Sequence, residues 1–438
     1  MWLLPLFPRV AAFATRTFYR TTITGGEIPR DGPLLLVGNH PNSLLDPLFL
    51  AAAARRPVRF LAKAPLFSNP WTAWAVTAVG AIPVYRPRDN PALVGRNEST
   101  FRAAHDALHA GAAIGIFPEG MSHDAPSIAP LRTGAARIAL GARSRLGHSL
   151  PIIPVGLVLG KKEEFRSDAH VLVGEPVRWD DIDGAEDSPD AVKELTARID
   201  HSLRRVTLNL EQWEDAPLIA AAEAIYVAEL GAAPESGTLV DRWREAARIL
   251  SATRRDGDAE ATALAREIRR HARALDLFGL EPADLKAGTD LRGAARWSAR
   301  RAALPAQIAV AWIGALLFWV PYRLTAVLVD RSSADGASRA SIKLVGGAAL
   351  FILWTALLAA VAWISAGWTA AVAGLVLLPL LALATLVLLE DANDAWGDAR
   401  RFFLLRSRVR PLEELRSRQP ELAQRLRALR DRATRERG

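Results

Sequence analysis

Short apolar runs alternate with longer amphipathic stretches over residues 21–180. Turn residues bound these runs, which is typical of buried strands. The runs lie at residues 34–37, 58–61, 81–85, 113–117, 152–157 and 169–173. Helical patterns separate several of them, most clearly at residues 97–110 and 134–145. We therefore expect an α/β domain with a mixed sheet flanked by helices.

The second half of the chain contains a nearly continuous apolar stretch at residues 344–389, which Gly367 divides. Each half has about the 20 residues that a bilayer-spanning helix needs. We predict a C-terminal pair of transmembrane helices. Arg339 and Lys343 precede the stretch and a cluster of arginines at residues 400–410 follows it. Because basic residues stay in the cytoplasm, both outer ends should be cytoplasmic.

Residues 304–329 are also apolar, but Pro321 and Arg323 interrupt them. The clean run at residues 308–320 is too short to cross a hydrocarbon core of about 30 Å. We expect a re-entrant or interfacial helix, and a tilted true span is the alternative. Residues 330–343 connect this segment to the transmembrane pair.

The two remaining regions carry no catalytic motif. Residues 1–20 combine apolar positions with three arginines, which favours an amphipathic segment on the membrane surface. A helix packed on the domain fits the same pattern. Residues 181–303 are polar and helical, so we expect an accessory region there.

Composition narrows the class of protein. Half of the residues are hydrophobic, and the absence of cysteine excludes disulfides, a thiol nucleophile and cysteine-based metal sites. The formal net charge is +8, and residues 397–438 account for most of it, with thirteen arginines against six acidic residues. A basic tail beside apolar spans indicates anionic lipid as the partner. Nucleic acid is not expected, because no aromatic-basic RNA motif or zinc-finger spacing is present.

The candidate chemistry begins directly after the run at residues 34–37, where His40 and Asp46 lie six positions apart. An imidazole can take a proton from an alcohol, and a carboxylate can hold that imidazole in one tautomer. Such a pair on its own is more often structural. The motifs that follow it favour the catalytic interpretation.

Four further motifs follow in a fixed order. Arg86 and Arg88 come after the run at residues 81–85, and the sequence GIFPEGMSHD occupies residues 115–124. LRTG follows at residues 131–134 and LPIIPVG at residues 150–156. As a set, these motifs after the His–Asp pair resemble the glycerol-phosphate and lysophosphatidate acyltransferase family. The resemblance covers about residues 20–180.

The resemblance implies roles for individual residues. His40 and Asp46 match the catalytic motif of the family, and Pro154 matches the motif that closes its site. The matches to the substrate-binding motifs are Arg86, Glu119 and Gly120, with Arg88, Ser122 and Arg132 as further candidates. Ser122 is not expected to be a nucleophile, because no G-x-S-x-G elbow surrounds it.

One departure from the family pattern concerns the acceptor. The chain has five residues between His40 and Asp46, one more than most members of the family. That spacing and the sequence FPEG-x-SHD are similar to the fungal enzymes that acylate glycerol-3-phosphate or dihydroxyacetone phosphate. We therefore expect glycerol-3-phosphate as the acceptor, with lysophosphatidate or another lysolipid as the alternative and an inactive membrane scaffold as a remote one.

The expected reaction is direct acyl transfer from acyl-CoA or acyl carrier protein, without a covalent acyl-enzyme. His40 acts as the general base, and backbone N–H groups near the His–Asp motif stabilise the oxyanion. No metal or cofactor is required. The catalytic domain should face the cytoplasm at the inner membrane, where the acyl donor is available.

Overall fold

The computed structural model describes residues 1–231, 237–286, 297–298, 301–332, 336–406 and 410–435. Parts of the predicted accessory region (232–236, 287–296 and 299–300) and of the basic tail (407–409 and 436–438) lie outside the described residues. The chain divides into two compact units. The first comprises Met1–Leu210 with Ser333–Leu344, and the second comprises Glu211–Ser332 with Val345–Gly438.

A seven-stranded sheet forms the centre of the first unit, in the order β1-β7-β6-β2-β5-β3-β4. The strands are β1 Arg20–Gly25, β2 Leu34–Gly38, β3 Val58–Lys63, β4 Ile82–Val84, β5 Ala113–Ile116, β6 Ile152–Leu159 and β7 Asp168–Val173. Neighbouring strands are parallel except β6 and β7, which are antiparallel. The predicted fold class, a mixed sheet flanked by helices, is confirmed.

Helices cover both faces of this sheet. They are α1 Phe7–Phe18, α2 Leu45–Ala54, α3 Pro65–Ser68, α4 Pro70–Ala78, α5 Asn97–His109, α6 Gly134–Leu146 and α7 Pro189–Val206, with a 3-10 helix at Pro91–Arg96. The central strand β2 is buried on both sides. Leu34 and Leu36 join a core with α1 and α2, whereas Leu35 and Val37 join a core with α5, α6 and α7. This burial explains why β2 reads as a continuous apolar run.

Strand β1 is the one strand among the described residues that the hydrophobic pattern did not predict. Its sequence RTTITG contains three threonines, and its residues are exposed or only partly buried at the edge of the sheet. β-Branched residues favour strands, but an edge strand needs no apolar run. The six predicted runs all correspond to strands.

Two boundaries differ from the predicted domain organisation. Helix α1 lies in the first unit and buries Phe7, Ala11 and Phe18, while Val10 and Phe13 on its other side are exposed. It therefore packs on the domain, and the membrane-surface role of its exposed side stays a prediction. Helix α7 also belongs to the first unit, which extends to Leu210 rather than residue 180.

The described part of the second unit is helical. Its helices are α8 Asp215–Leu230, α9 Leu239–Arg255, α10 Ala259–Phe278, α11 Leu304–Leu317, α12 Trp319–Arg331, α14 Trp368–Arg406 and α15 Arg410–Arg435, with a 3-10 helix at Pro282–Lys286. Helix α13, Gly336–Ala366, begins in the first unit and continues into the second. Leucines and isoleucines of α8, α10 and α15 form a shared core.

Within the described ranges, two helices are long and apolar enough to cross a membrane, Arg339–Ala366 and Trp368–Arg406. They correspond to the predicted transmembrane pair. Helices α11 and α12 pass the same test only together, and they are bent by 56°. The bend lies at Phe318, so Pro321 falls in the first turn of α12, where a missing N–H costs nothing. A broken span and a re-entrant segment both fit this geometry.

Candidate active site

The His–Asp motif occupies residues 39–44, here called the 39–44 turn, and the first turn of helix α2. The turn follows the last residue of β2, at the sheet edge where the strand ends. Asn39 fastens it to the neighbouring strand β6. Its amide nitrogen donates to the Leu157 carbonyl at 3.0 Å, and its amide oxygen accepts from the Leu157 N–H at 2.7 Å.

The two predicted catalytic side chains are in contact. His40 Nδ1 lies 2.7 Å from Asp46 Oδ2. When Asp46 is ionised, its carboxylate accepts from Nδ1–H, and Nε2 is left as the basic nitrogen. The His40 ring stacks on Phe117 with a centroid distance of 4.2 Å. The ring retains 20% side-chain exposure, so this pair has the geometry of a general base held by a carboxylate.

Asp46 is fully buried in the first turn of α2. Burial raises the pKa of its carboxyl above the ordinary value, while hydrogen bonds from His40 and from the Asn42 N–H act in the opposite direction. Asn42 N lies 2.7 Å from the same Oδ2 atom. Both donors reach Oδ2, so this oxygen holds the His40 ring and the Asn42 backbone together, although burial has the larger effect on the pKa.

The backbone N–H groups from His40 to Leu45 all have acceptors. His40 N donates to Glu119 at 2.8 Å and Asn42 N to Asp46. Ser43 N donates to Ser122 Oγ at 3.0 Å, and Leu44 N donates to Ser341 Oγ at 3.2 Å. Leu45 N donates to the Asn42 carbonyl at 3.1 Å. An oxyanion bound at these groups would have to replace one of the present acceptors.

Glu119 lies beneath the turn, with 1% of its side chain exposed. Besides the His40 N–H, it accepts from the Ala129 N–H at 2.8 Å and is hydrogen-bonded to His123 Nε2. His123 Nδ1 accepts from the Ala125 N–H at 3.1 Å, so the ring proton of a neutral His123 belongs on Nε2. Among the described residues, Glu119 has no hydrogen bond with Arg86.

Arg86 instead contacts two other groups. Its Nε and Nη2 atoms donate to the Asp89 carboxylate at 2.7 and 2.9 Å, and Nη1 donates to the Gly120 carbonyl at 3.3 Å. The hydrogen bonds from Arg86 lower the pKa of Asp89, and the nearby charges of Arg88 and Lys63 contribute. The guanidinium therefore already has an anionic partner within the chain.

The other residues predicted to bind substrate or close the site differ in burial. Gly120 has a φ of +72°, which favours glycine, and a Cβ there would contact the Arg132 stem. Arg86 and the stem of Arg132 therefore both lie beside Gly120. Arg88 is exposed. Pro154 is buried within β6 opposite Val37, so it shapes the sheet below the turn.

Sequence reasoning did not identify Asn42 or Tyr19, two polar residues that support the turn. The Asn42 amide donates to Tyr19 Oη at 2.7 Å, and Tyr19 Oη donates to the Lys162 carbonyl at 2.5 Å. Burial raises the pKa of Tyr19, which keeps its hydroxyl neutral. Asn42 was visible as a second asparagine in GNHPNS. No motif or hydrophobic pattern around Tyr19 indicated this contact.

Comparisons with known proteins agree with the resemblance drawn from the motifs. Residues 20–158 match the family model described as Acyltransferase. Glycerol-3-phosphate O-acyltransferase 2 of Saccharomyces cerevisiae is 38% identical over 30% of this chain and 18% of its own length. A chloroplastic 1-acyl-sn-glycerol-3-phosphate acyltransferase of Brassica napus is 28% identical over 34% of this chain and 40% of its own.

Among solved structures, the 1-acyl-sn-glycerophosphate (LPA) acyltransferase PlsC from Thermotoga maritima matches with a TM-score of 0.34 and 18% identity. That match covers 46% of this chain and 78% of the PlsC chain. The chain spans less than half the length of the two curated relatives. The resemblance to the glycerol-phosphate and lysophosphatidate acyltransferases is confirmed over the region that carries the motifs.

The Asp46 contact generates the first prediction. Asp46→Asn keeps the shape of the side chain, but its amide nitrogen can donate to His40 Nδ1 and so place the ring proton on Nε2. We expect kcat for acyl transfer to fall by about 10³–10⁴-fold. Steady-state rates of the purified full chain check this.

The matched control is Asp168→Asn. Asp168 pairs with Arg20 at 2.9 Å, and both side chains are more than half exposed. We expect the control to retain its rate. Equal rates for Asp46→Asn and the parent protein would show that the carboxylate does not hold a catalytic base.

Proposed function

We propose that this protein transfers a fatty acyl group from acyl-CoA or acyl carrier protein to a hydroxyl of glycerol-3-phosphate, as a step of phospholipid synthesis. The observation that carries the proposal is the His40 imidazole with Nδ1 on a buried carboxylate and Nε2 without a hydrogen-bond partner among the described residues. Its position beside Gly120, where Arg86 donates to the backbone carbonyl and the Arg132 stem lies, supports a phosphorylated acceptor.

The proposed mechanism is a direct transfer. His40 Nε2 takes the proton of the acceptor hydroxyl as its oxygen attacks the thioester carbonyl, and Asp46 stabilises the imidazolium that forms. The tetrahedral intermediate then collapses, the carbon–sulfur bond breaks, and protonated His40 returns the proton to the thiolate. General base catalysis of this kind contributes typically about 10²–10⁴-fold to the rate.

The acceptor phosphate is assigned to Arg86. A planar guanidinium matches phosphate through two parallel hydrogen bonds, and the edge formed by Nε and Nη2 is the one that now holds Asp89. The phosphate therefore takes the place of a carboxylate or binds beside it. Arg88 supplies further positive charge near Asp89, and Arg132 supplies it beside Gly120.

Two relatives point to two acceptors. The yeast relative is named for glycerol-3-phosphate and is 38% identical, whereas the Brassica relative is named for 1-acyl-sn-glycerol-3-phosphate and is 28% identical. The higher identity and the five-residue spacing of the His–Asp motif favour glycerol-3-phosphate. The lysolipid stays the competing candidate, because both acceptors present a hydroxyl and a phosphate monoester.

The acceptor is tested with the purified full chain in lipid nanodiscs and a radiolabelled acyl donor. The acceptors are glycerol-3-phosphate, dihydroxyacetone phosphate and lysophosphatidate, each tested with acyl-CoA and with acyl carrier protein. We expect labelled lysophosphatidate from glycerol-3-phosphate as the main product. A preference for lysophosphatidate would replace the proposed acceptor. Turnover of no acceptor with either donor would favour an inactive scaffold.

Arg86→Lys tests the phosphate assignment while the charge is kept. A lysine cannot make the paired hydrogen bonds, so we expect the KM for the phosphorylated acceptor to rise about tenfold or more with a smaller change in kcat. Arg102→Lys is the control, since Arg102 forms an exposed pair with Glu98 on α5. An unchanged acceptor KM in Arg86→Lys would remove Arg86 from phosphate binding.

We propose that the catalytic domain faces the cytoplasm, because Arg339 and Lys343 precede the first apolar helix. The absence of cysteine permits a direct test with single cysteines in the full chain. In intact cells, an impermeant maleimide should label Ser365→Cys, which lies beside the Gly367 break, and should label Ser99→Cys on α5 only after permeabilisation. The reverse pattern would invert the orientation.

A further inference from the structure

Helix α2 begins without a side-chain cap of its own. Its N-cap residue is Leu44, which has no side-chain oxygen. The first N–H groups of any helix lack partners within the helix, and an uncapped start is loosely held. At this start the acceptors come from elsewhere in the chain. Ser122 accepts from Ser43 N, and Ser341 accepts from Leu44 N.

Ser341 lies in the first turns of α13, at the start of the first candidate membrane span. It is 297 positions from Leu44 in sequence, yet residues 333–344 belong to the same compact unit as the catalytic turn. Ser341 is 4% exposed, and the preceding Ala340 is fully buried in the core that contains α2 and β2. The contact is therefore part of a packed surface.

Two further contacts hold the same turns of α13 against the domain. Lys343 Nζ donates to the Glu163 carbonyl at 2.6 Å, and Arg339 pairs with the Glu163 carboxylate at 3.5 Å. The neighbouring Lys162 carbonyl accepts from Tyr19, which in turn binds Asn42. Residues 339–343 thus reach the 39–44 turn directly through Leu44 and indirectly through the segment that holds Asn42.

We propose that the first turns of α13 cap helix α2 and thereby position the catalytic pair, with Ser341 as the positioning residue. Ser341 touches neither substrate nor reacting atoms. It acts through Leu44, which adjoins Ser43 in its left-handed conformation (φ +52°) and precedes Asp46 by two residues. Without the cap, the first turn of α2 frays and the Asp46 carboxylate no longer holds His40 in one orientation.

The catalytic part of this inference rests on the proposed function, whereas the cap itself does not. Two measurements therefore test the cap and its effect on catalysis separately. Hydrogen–deuterium exchange of the full chain in nanodiscs reports the cap through the peptide that contains residues 42–49. Steady-state kinetics with glycerol-3-phosphate and acyl-CoA report the consequence for transfer.

Ser341→Ala removes the acceptor of the Leu44 N–H. We expect exchange in residues 42–49 to become about tenfold faster, while β5 and β6 exchange as in the parent. We expect kcat to fall about tenfold, because the orientation of the His40 base changes. The acceptor KM should stay within about twofold of the parent value, because the arginines assigned to phosphate binding keep their positions. Ser341→Thr keeps the hydroxyl and should restore both readouts.

Ser365→Ala is the matched control, because Ser365 lies on the same helix and is exposed. Within the described part of the chain its hydroxyl bonds only to carbonyls of its own preceding turn. It should behave as the parent in both readouts. Lys343→Met supplies a second disruption in case Ser341→Ala does not fold. It removes the bond to the Glu163 carbonyl and should speed exchange in the same peptide.

The outcomes are distinct. Parental exchange in residues 42–49 of Ser341→Ala would overturn the cap. Faster exchange with an unchanged kcat would overturn the positioning role. Faster exchange in a chain whose parent form transfers no acyl group would support the cap and would refute both the proposed function and the positioning role of Ser341.

Discussion

The hydrogen bond between His40 Nδ1 and Asp46 Oδ2 places a carboxylate where water cannot reach it. A buried carboxylate is costly unless donors surround it, and the raised pKa of Asp46 is the sign of that cost. Two donors, the imidazole and the Asn42 N–H, offset part of this cost at the Oδ2 atom. Both belong to the 39–44 turn, so the ionised state of Asp46 requires that this turn keep one conformation.

The conformation of the turn is set by side chains from distant parts of the chain. Glu119, Ser122 and Ser341 each accept one backbone N–H of the turn, and Asn39 ties it to β6. Side chains on separate elements of a packed domain move little relative to each other, so the turn is organised before a substrate arrives. Asp46 and the Asn42 carbonyl accept the other N–H groups between His40 and Leu45, so an oxyanion there would compete with existing bonds.

The sequence predicted the parts of this site that depend on local pattern. The apolar runs marked six of the seven strands, and the motif order marked His40, Asp46 and the turn at Gly120. Strand β1 was not predicted, because an edge strand with three threonines has no apolar run. The residues that support the turn were not predicted for a different reason. Tyr19 and Ser341 become its neighbours only through folding, 23 and 297 positions from their partners, and no local pattern encodes such a pairing.

The pairing of Arg86 with Asp89 has a consequence for acceptor choice under the proposed function. Because Asp89 is three residues away, it is always present at high effective concentration, and Arg86 is never an unsatisfied cation. A neutral acceptor gains nothing from a guanidinium that is already paired. A phosphate monoester carries more charge and one more terminal oxygen than a carboxylate, so it can displace or share that partner. An acceptor must therefore interact with Arg86 more strongly than Asp89 does, or share it with Asp89. The intrachain pair thus favours acceptors that bring a full phosphate to the Gly120 turn.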